Sequence, residues 1–88
     1  MTVILDGTAM HDRQEAHSHL AQRLALPDYY GRNLDALYDL LTQIGTDTEL
    51  VLRDSDALVK TLGRYGKALM DTLADAAKEN PHLKLTVQ

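Results

Sequence analysis

Three short apolar segments, separated by long stretches with helical spacing, constrain the fold of this chain more than any other feature. They comprise residues 3–5, 50–52 and 83–87, and the last of them alternates apolar and polar side chains. Each is short for a helix and lies next to turn-forming residues, a pattern typical of β-strands. The connections between them are long enough to contain helices and to return the chain in the same direction, which predicts a parallel sheet.

The connection between the first two predicted strands contains two amphipathic helices. Asp12, with Glu15 three residues later, fits the start of the first helix, and Pro27 ends it. Asn33 is a suitable N-cap for the second helix, which is predicted to end near Gly45. Apolar residues recur at helical spacing in both: Ala16, Leu20 and Leu24 in the first, and Leu34, Leu37 and Leu41 in the second.

The second connection also contains two helices. Ser55 or Asp56 can cap the third helix, and Gly63 suits the left-handed position at its end. A fourth helix begins near Gly66 and ends at Asn80, before a proline. The resulting order β-α-α-β-α-α-β predicts an α/β fold with a three-stranded parallel sheet and four helices.

The length of 88 residues is enough for one small domain, so residues 1–88 are predicted to form a single unit. The chain contains no cysteine, which excludes disulfides and thiolate zinc sites and leaves packing as the source of stability. The first residues lack the basic and apolar segments of a signal peptide or a membrane span. We therefore expect a cytoplasmic protein that does not associate with membranes.

The negative charge of the chain is concentrated in its middle third. Residues 28–56 contain seven acidic and two basic side chains, a local net charge of −5, whereas the remaining residues contain six acids and seven bases. This distribution favours a cationic partner and argues against direct binding to nucleic acid phosphates. Taken alone, the charge is better explained by an ordinary solvated surface.

Asp35 and Asp39 lie on one face of the predicted second helix. At about 100° per residue they are roughly 40° apart, whereas the centre of the leucine stripe is roughly 145° away. Both carboxylates are therefore expected to face solvent. Asp35 falls in the first turn, where the helix dipole favours a carboxylate. Considered without its neighbours, Asp39 is most simply an exposed acid with no binding role.

Three of the four tyrosines accompany these two aspartates. Tyr29 and Tyr30 precede the helix, and Tyr38 projects beside the acidic pair. Tyrosine is enriched among the residues that dominate binding energy in protein interfaces. We expect Tyr30 to pack in the core and Tyr29 to remain free, so the loop and helix together are predicted to form a protein-binding surface.

Residues 26–41, with the sequence LPDYYGRNLDALYDLL, strongly resemble the central motif of the barstar family, and the resemblance extends more weakly to both termini. The resemblance implies the fold described above and an intracellular inhibitor of a small, secreted, guanine-preferring bacterial ribonuclease. In that family the loop and helix block the active-site cleft of the enzyme. The second helical aspartate takes the place of a substrate phosphate, and by position it is Asp39 here.

The resemblance implies partner contacts on the loop and on the second helix. It also implies a contact at one acid of the last helix, when a one-residue gap is allowed near that helix in matching the chain to the family. The set is Tyr29, Gly31, Asn33, Leu34, Asp35, Tyr38, Asp39, Thr42, Gln43, Ile44 and Asp75. The resemblance also implies a 1:1 complex with a basic ribonuclease, a monomeric free inhibitor and no cofactor. The family pattern has tryptophans in place of Tyr38 and Ile44 and an acid in place of Arg32, which favours a cognate ribonuclease with a differently shaped rim.

Catalysis is not predicted. Asp35 and Asp39 are both expected to face solvent, without the distinct environments that separate the pKa values of an acid/base pair. His17 and His19 diverge by about 200° on a helix, so they cannot readily share a metal ion, and we expect both on the surface. The alternative function is an acidic binding module on the same scaffold that recognises a cationic protein other than a ribonuclease.

Overall fold

A computed structural model describes residues 1–88 and contains three strands and four α-helices. In chain order these are β1 (Thr2–Asp6), α1 (Arg13–Arg23), α2 (Leu34–Thr42), β2 (Thr48–Arg53), α3 (Ser55–Leu62), α4 (Arg64–Glu79) and β3 (Leu83–Val87), with a short 3₁₀ turn at Gly7–Ala9. The predicted order of elements is confirmed. No helix combines the length and the apolar character needed to cross a membrane.

The sheet is parallel throughout, with β2 between β1 and β3. Leu50 of β2 is in register with Val3 on one side and with Leu85 on the other. Three consecutive residues of β2, 50–52, are buried, and Leu50 and Leu52 belong to the hydrophobic core.

The core lies between the sheet and the inner faces of the helices. Leu37 and Leu41 of α2 are completely buried, as are Leu69 and Leu73 of α4, and α2 packs against α4. Leu34 is half-buried at the edge of this cluster. The predicted leucine stripe therefore points inward and fixes which face of α2 is exposed.

Two of the predicted helix caps are confirmed. The Asp12 carboxylate accepts a hydrogen bond from the Glu15 backbone N–H, at 2.7 Å between oxygen and nitrogen. The side-chain oxygen of Asn33 accepts one from the Ala36 backbone N–H, also at 2.7 Å. Each bond satisfies a donor that the first helical turn would otherwise leave unpaired.

The prediction that Ser55 or Asp56 caps α3 is wrong. The N-cap position is Asp54, in the left-handed conformation with φ of 54°, and no side chain caps the helix. The Ser55 hydroxyl instead donates to the carbonyl oxygen of Gln88, 2.9 Å away, and its backbone N–H donates to the same oxygen. Ser55 therefore ties the start of α3 to the end of the chain.

Two helix boundaries also differ from their predicted positions. The second helix ends at Thr42 and not near Gly45, because the side chain of Asn80 donates to the carbonyl oxygens of Leu41 and Ile44 and so satisfies the end of α2. The fourth helix begins at Arg64, before the predicted start, directly after Gly63 has ended α3 with a positive φ.

Candidate functional site

The outer face of α2 presents both predicted carboxylates to solvent. Asp35 and Asp39 are exposed, whereas Leu37 and Leu41 on the opposite face are completely buried. Neither aspartate lies within 4 Å of a cationic nitrogen. The ion pairs within the protein are His11 with Glu15 and His82 with Asp47. The two charges are therefore free to meet an external cation.

The loop before α2 is fixed to the helix by Asn33. Its side-chain amide donates to the Gly31 carbonyl oxygen, 3.2 Å away, while its side-chain oxygen caps the helix. A Cβ at Gly31 would lie 3.3 Å from the Ala36 Cβ, a close approach that glycine avoids. Arg32 adopts a positive φ of 55°, which turns the chain sharply between the loop and the helix.

The two tyrosines of the loop have opposite environments. Tyr29 is 79 % exposed, whereas Tyr30 is buried, as predicted for each. The Tyr30 hydroxyl oxygen lies 2.5 Å from Nδ1 of His17. Burial raises the pKa of Tyr30 to about 12, so the hydroxyl keeps its proton at neutral pH.

His17 is a core residue, and the prediction that it lies on the surface is wrong. It is only 2 % exposed, and its Nε2 lies 2.6 Å from the hydroxyl oxygen of Tyr65 on α4. Burial lowers the pKa of His17, and the nearby Arg32 guanidinium lowers it further. The residue stands three positions before Leu20, a spacing that places the two on one side of a helix and was available in the sequence.

His19 is half-buried rather than fully on the surface. Its Nε2 accepts a hydrogen bond from the Asp6 backbone N–H, 3.0 Å away. Burial lowers the pKa of His19, and Arg23 adds to the effect. The two histidines thus form hydrogen bonds with different parts of the protein. No group of three or more His, Cys, Asp or Glu side chains is arranged to hold a metal ion.

Four of the predicted contact residues surround one small cleft of about 210 Å³ between the loop and α2. They are Tyr29, Gly31, Asp39 and Gln43. The exposed ring of Tyr29 and the carboxylate of Asp39 therefore lie on the same surface, although ten positions separate them in the chain. This juxtaposition gives the surface an apolar contact area next to an unpaired charge.

The other predicted contact residues have more varied exposure. Asn33 and Asp35 are exposed near the start of α2, and Asp75 is exposed on α4. Four more are half-buried: Leu34, Tyr38, Thr42 and Ile44. Of these, Leu34, Tyr38 and Ile44 pack against the core, so each can offer only part of its side chain to a partner.

Comparison with known proteins decides the family. The family described as Barstar (barnase inhibitor) matches residues 1–88. The chain belongs to the barstar family. A Bacillus subtilis (strain 168) protein named "Putative ribonuclease inhibitor YrdF" is 36 % identical over 78 residues, which cover 88 % of this chain and 86 % of that protein. Barstar family proteins are ribonuclease inhibitors and not enzymes, so this chain falls in the class of proteins that bind a ribonuclease.

A second, larger cleft lies beside the barstar motif and was not predicted from the sequence. It has a volume of about 660 Å³, and three of the predicted contact residues line it, Asn33, Leu34 and Asp35. The remaining lining residues are Arg13, Gln14, His17, Arg32 and Tyr65. Arg32 belongs to the motif, but no pattern in the sequence predicted that Arg13 of α1 and Tyr65 of α4 would line the same cleft.

Proposed function

We propose that this protein inhibits a small, secreted, guanine-preferring bacterial ribonuclease by forming a 1:1 complex at the enzyme's active site. The loop at residues 29–33 and the outer face of α2 would enter the cleft that normally holds RNA. The ribonuclease inhibitor name of the Bacillus subtilis relative supports this assignment. The producing cell would hold the inhibitor in its cytoplasm as protection against enzyme that fails to leave.

The observation that carries the proposal is the free state of Asp35 and Asp39. Both carboxylates are exposed on one rigid helix, and neither is neutralised by a cation of the protein itself. A ribonuclease cleft built of arginine, lysine and histidine to hold phosphates is complementary to such carboxylates. Asp39 would take the place of a substrate phosphate, as in the family motif.

The proposed contact surface combines these charges with an aromatic anchor. Tyr29 has most of its ring available, and it shares a cleft with Asp39. Aromatic residues next to desolvated charges are typical of interface hot spots. The full proposed set is Tyr29, Gly31, Asn33, Leu34, Asp35, Tyr38, Asp39, Thr42, Gln43, Ile44 and Asp75.

The proposal is tested by titrating the protein into a panel of small secreted bacterial ribonucleases and measuring RNA cleavage. Stoichiometric loss of activity with at least one enzyme is the expected result. Asp39→Asn should weaken that inhibition, whereas Asp56→Asn, which neutralises an exposed acid in the first turn of α3, should not. Binding to a basic protein that is not a nuclease, with no ribonuclease inhibited, would favour the acidic binding module instead.

A further inference from the structure

Two guanidinium groups face the larger cleft, and internal contacts hold both of them in place. The Arg13 guanidinium lies 4.2 Å from the centroid of the Tyr65 ring, in a cation–π contact. Arg32 donates from Nη2 to the carbonyl oxygen of Gln14 and to the hydroxyl of Ser18. Both cations are therefore positioned before any partner binds. We call this site, defined by its lining residues given above, the arginine cleft.

Neither guanidinium is neutralised. No carboxylate oxygen lies within 4 Å of Arg13 or Arg32, although Asp35 lines the same cleft. Nε and Nη1 of Arg32 make no hydrogen bond within the protein, and Arg13 makes no side-chain hydrogen bond. Free guanidinium donors suit a carboxylate, because hydrogen bonds between two charged groups are stronger than those between neutral ones.

The arginine cleft overlaps the proposed ribonuclease contact surface. Asn33, Leu34 and Asp35 belong to both, so a ribonuclease in contact with the loop and α2 would also cover the mouth of the cleft. Contact with a basic enzyme would remove water from the Arg32 guanidinium without supplying a negative charge in its place. This desolvation would weaken binding. We propose that the cognate ribonuclease places an aspartate or glutamate side chain in the arginine cleft, against Arg32 and Arg13.

This inference rests on the proposed function and deepens it by naming a feature of the partner. A single carboxylate suits the site better than an RNA phosphate backbone, because Asp35 in the same cleft and the net charge of −5 over residues 28–56 repel a polyanion. The cognate ribonuclease would therefore have a basic cleft with one acidic side chain on its rim. That acidic side chain would distinguish it from ribonucleases that lack one there.

The first test uses a ribonuclease that the unmodified protein inhibits and compares two single substitutions of arginine. Removing a positive charge from an acidic inhibitor should by itself slightly speed association with a basic enzyme. Arg23→Gln, on α1 but outside the cleft, should show only this effect. Arg32→Gln should instead raise the inhibition constant about tenfold, mainly through faster dissociation, and Arg32→Glu should raise it further.

The second test is a double-mutant cycle between Arg32→Ala and alanine substitutions of each acidic residue on the rim of the same ribonuclease. One acid should couple to Arg32, so that the double substitution weakens binding far less than the product of the single effects. A purely structural role of Arg32 in the loop would weaken binding without coupling to any acid. That outcome, or tighter inhibition by Arg32→Gln, would overturn the inference.

Failure of the inference can be distinguished from failure of the proposed function. If no ribonuclease is inhibited, the proposed function is wrong and the inference is wrong with it. If a ribonuclease is inhibited and Asp39→Asn weakens the complex, but Arg32 couples to no acid, the proposed function stands and only the arginine cleft assignment fails.

Discussion

Nδ1 of His17 on α1 lies 2.5 Å from the hydroxyl oxygen of Tyr30, the residue next to the exposed Tyr29. The other ring nitrogen of His17 lies 2.6 Å from the hydroxyl of Tyr65 on α4. A neutral imidazole can donate one of these bonds and accept the other. One buried histidine thus links the loop before α2 to α1 and α4.

The free energy of unfolding should fall as the pH decreases below about 6.5, the ordinary pKa of histidine. Burial lowers the pKa of His17 in the folded protein, so the unfolded chain binds a proton before the folded chain does. The pKa of His19 is also lowered by burial, so this residue adds to the loss of stability at low pH. Each histidine can contribute up to about 1.4 kcal/mol per pH unit within this window.

The free energy of unfolding is measured with urea at about pH 7.5 and about pH 5.5. Ordinary carboxylates titrate below this range, so they contribute little to the difference. His17→Gln should reduce the difference between the two pH values, and His17→Gln combined with His19→Gln should reduce it further. An equal drop in stability for the unmodified protein and for the double variant would contradict the assignment.

Asp39→Asn should weaken ribonuclease inhibition by on the order of 30-fold or more, which corresponds to the roughly 2 kcal/mol that defines a hot spot. Asp35→Asn should weaken it as well, because the carboxylate is exposed and unpaired. Association should slow as salt is raised, since exposed charges are screened. Inhibition assays and stopped-flow association rates give both quantities, and equal inhibition by Asp39→Asn and the unmodified protein would remove Asp39 from the site.

Tyr29→Ala should weaken the complex about tenfold or more, with most of the change in the dissociation rate. The side chain is 79 % exposed and uncharged, so it contributes contact area rather than electrostatic steering. Surface plasmon resonance separates the two rates. Tyr29→Phe is the matched control, because it keeps the ring and should retain most of the affinity.

Leu37→Ala should lower the free energy of unfolding by about 2–5 kcal/mol, because it leaves a cavity in the core. Leu40→Ala on the same helix should cost less, since Leu40 is only half-buried. Urea unfolding measures both. A Leu37→Ala variant as stable as the unmodified protein would mean that α2 presents a different face to the core.

Gly7→Ala should destabilise the fold by about 1–3 kcal/mol or more. A Cβ at Gly7 would overlap the backbone carbonyl oxygen of Asp54, and backbone at both positions would have to move. Gly45→Ala is the control, since no atom lies within 4 Å of a Cβ built there. Thermal unfolding compares the two variants, and equal melting temperatures would contradict the close contact between the end of β1 and the start of α3.

Local periodicity was sufficient to predict the order of elements and the orientation of α2. The leucine spacing of that helix fixes its inner face, so the exposure of Asp35 and Asp39 follows from geometry along one helix. The predicted end of α2 is wrong because a distant residue intervenes. Asn80 ends α2 early through the carbonyls of Leu41 and Ile44, a contact that no local pattern encodes.

The sequence by itself therefore determined the fold class, the family motif and the outward orientation of the α2 carboxylates, because each depends on residues within a few turns of one another. Only the tertiary structure decided that His17 joins Tyr30 to Tyr65 and that Arg13 and Arg32 meet in one cleft. These groups come from α1, the loop and α4. Their contacts depend on how the helices pack, which side-chain spacing within one helix does not specify.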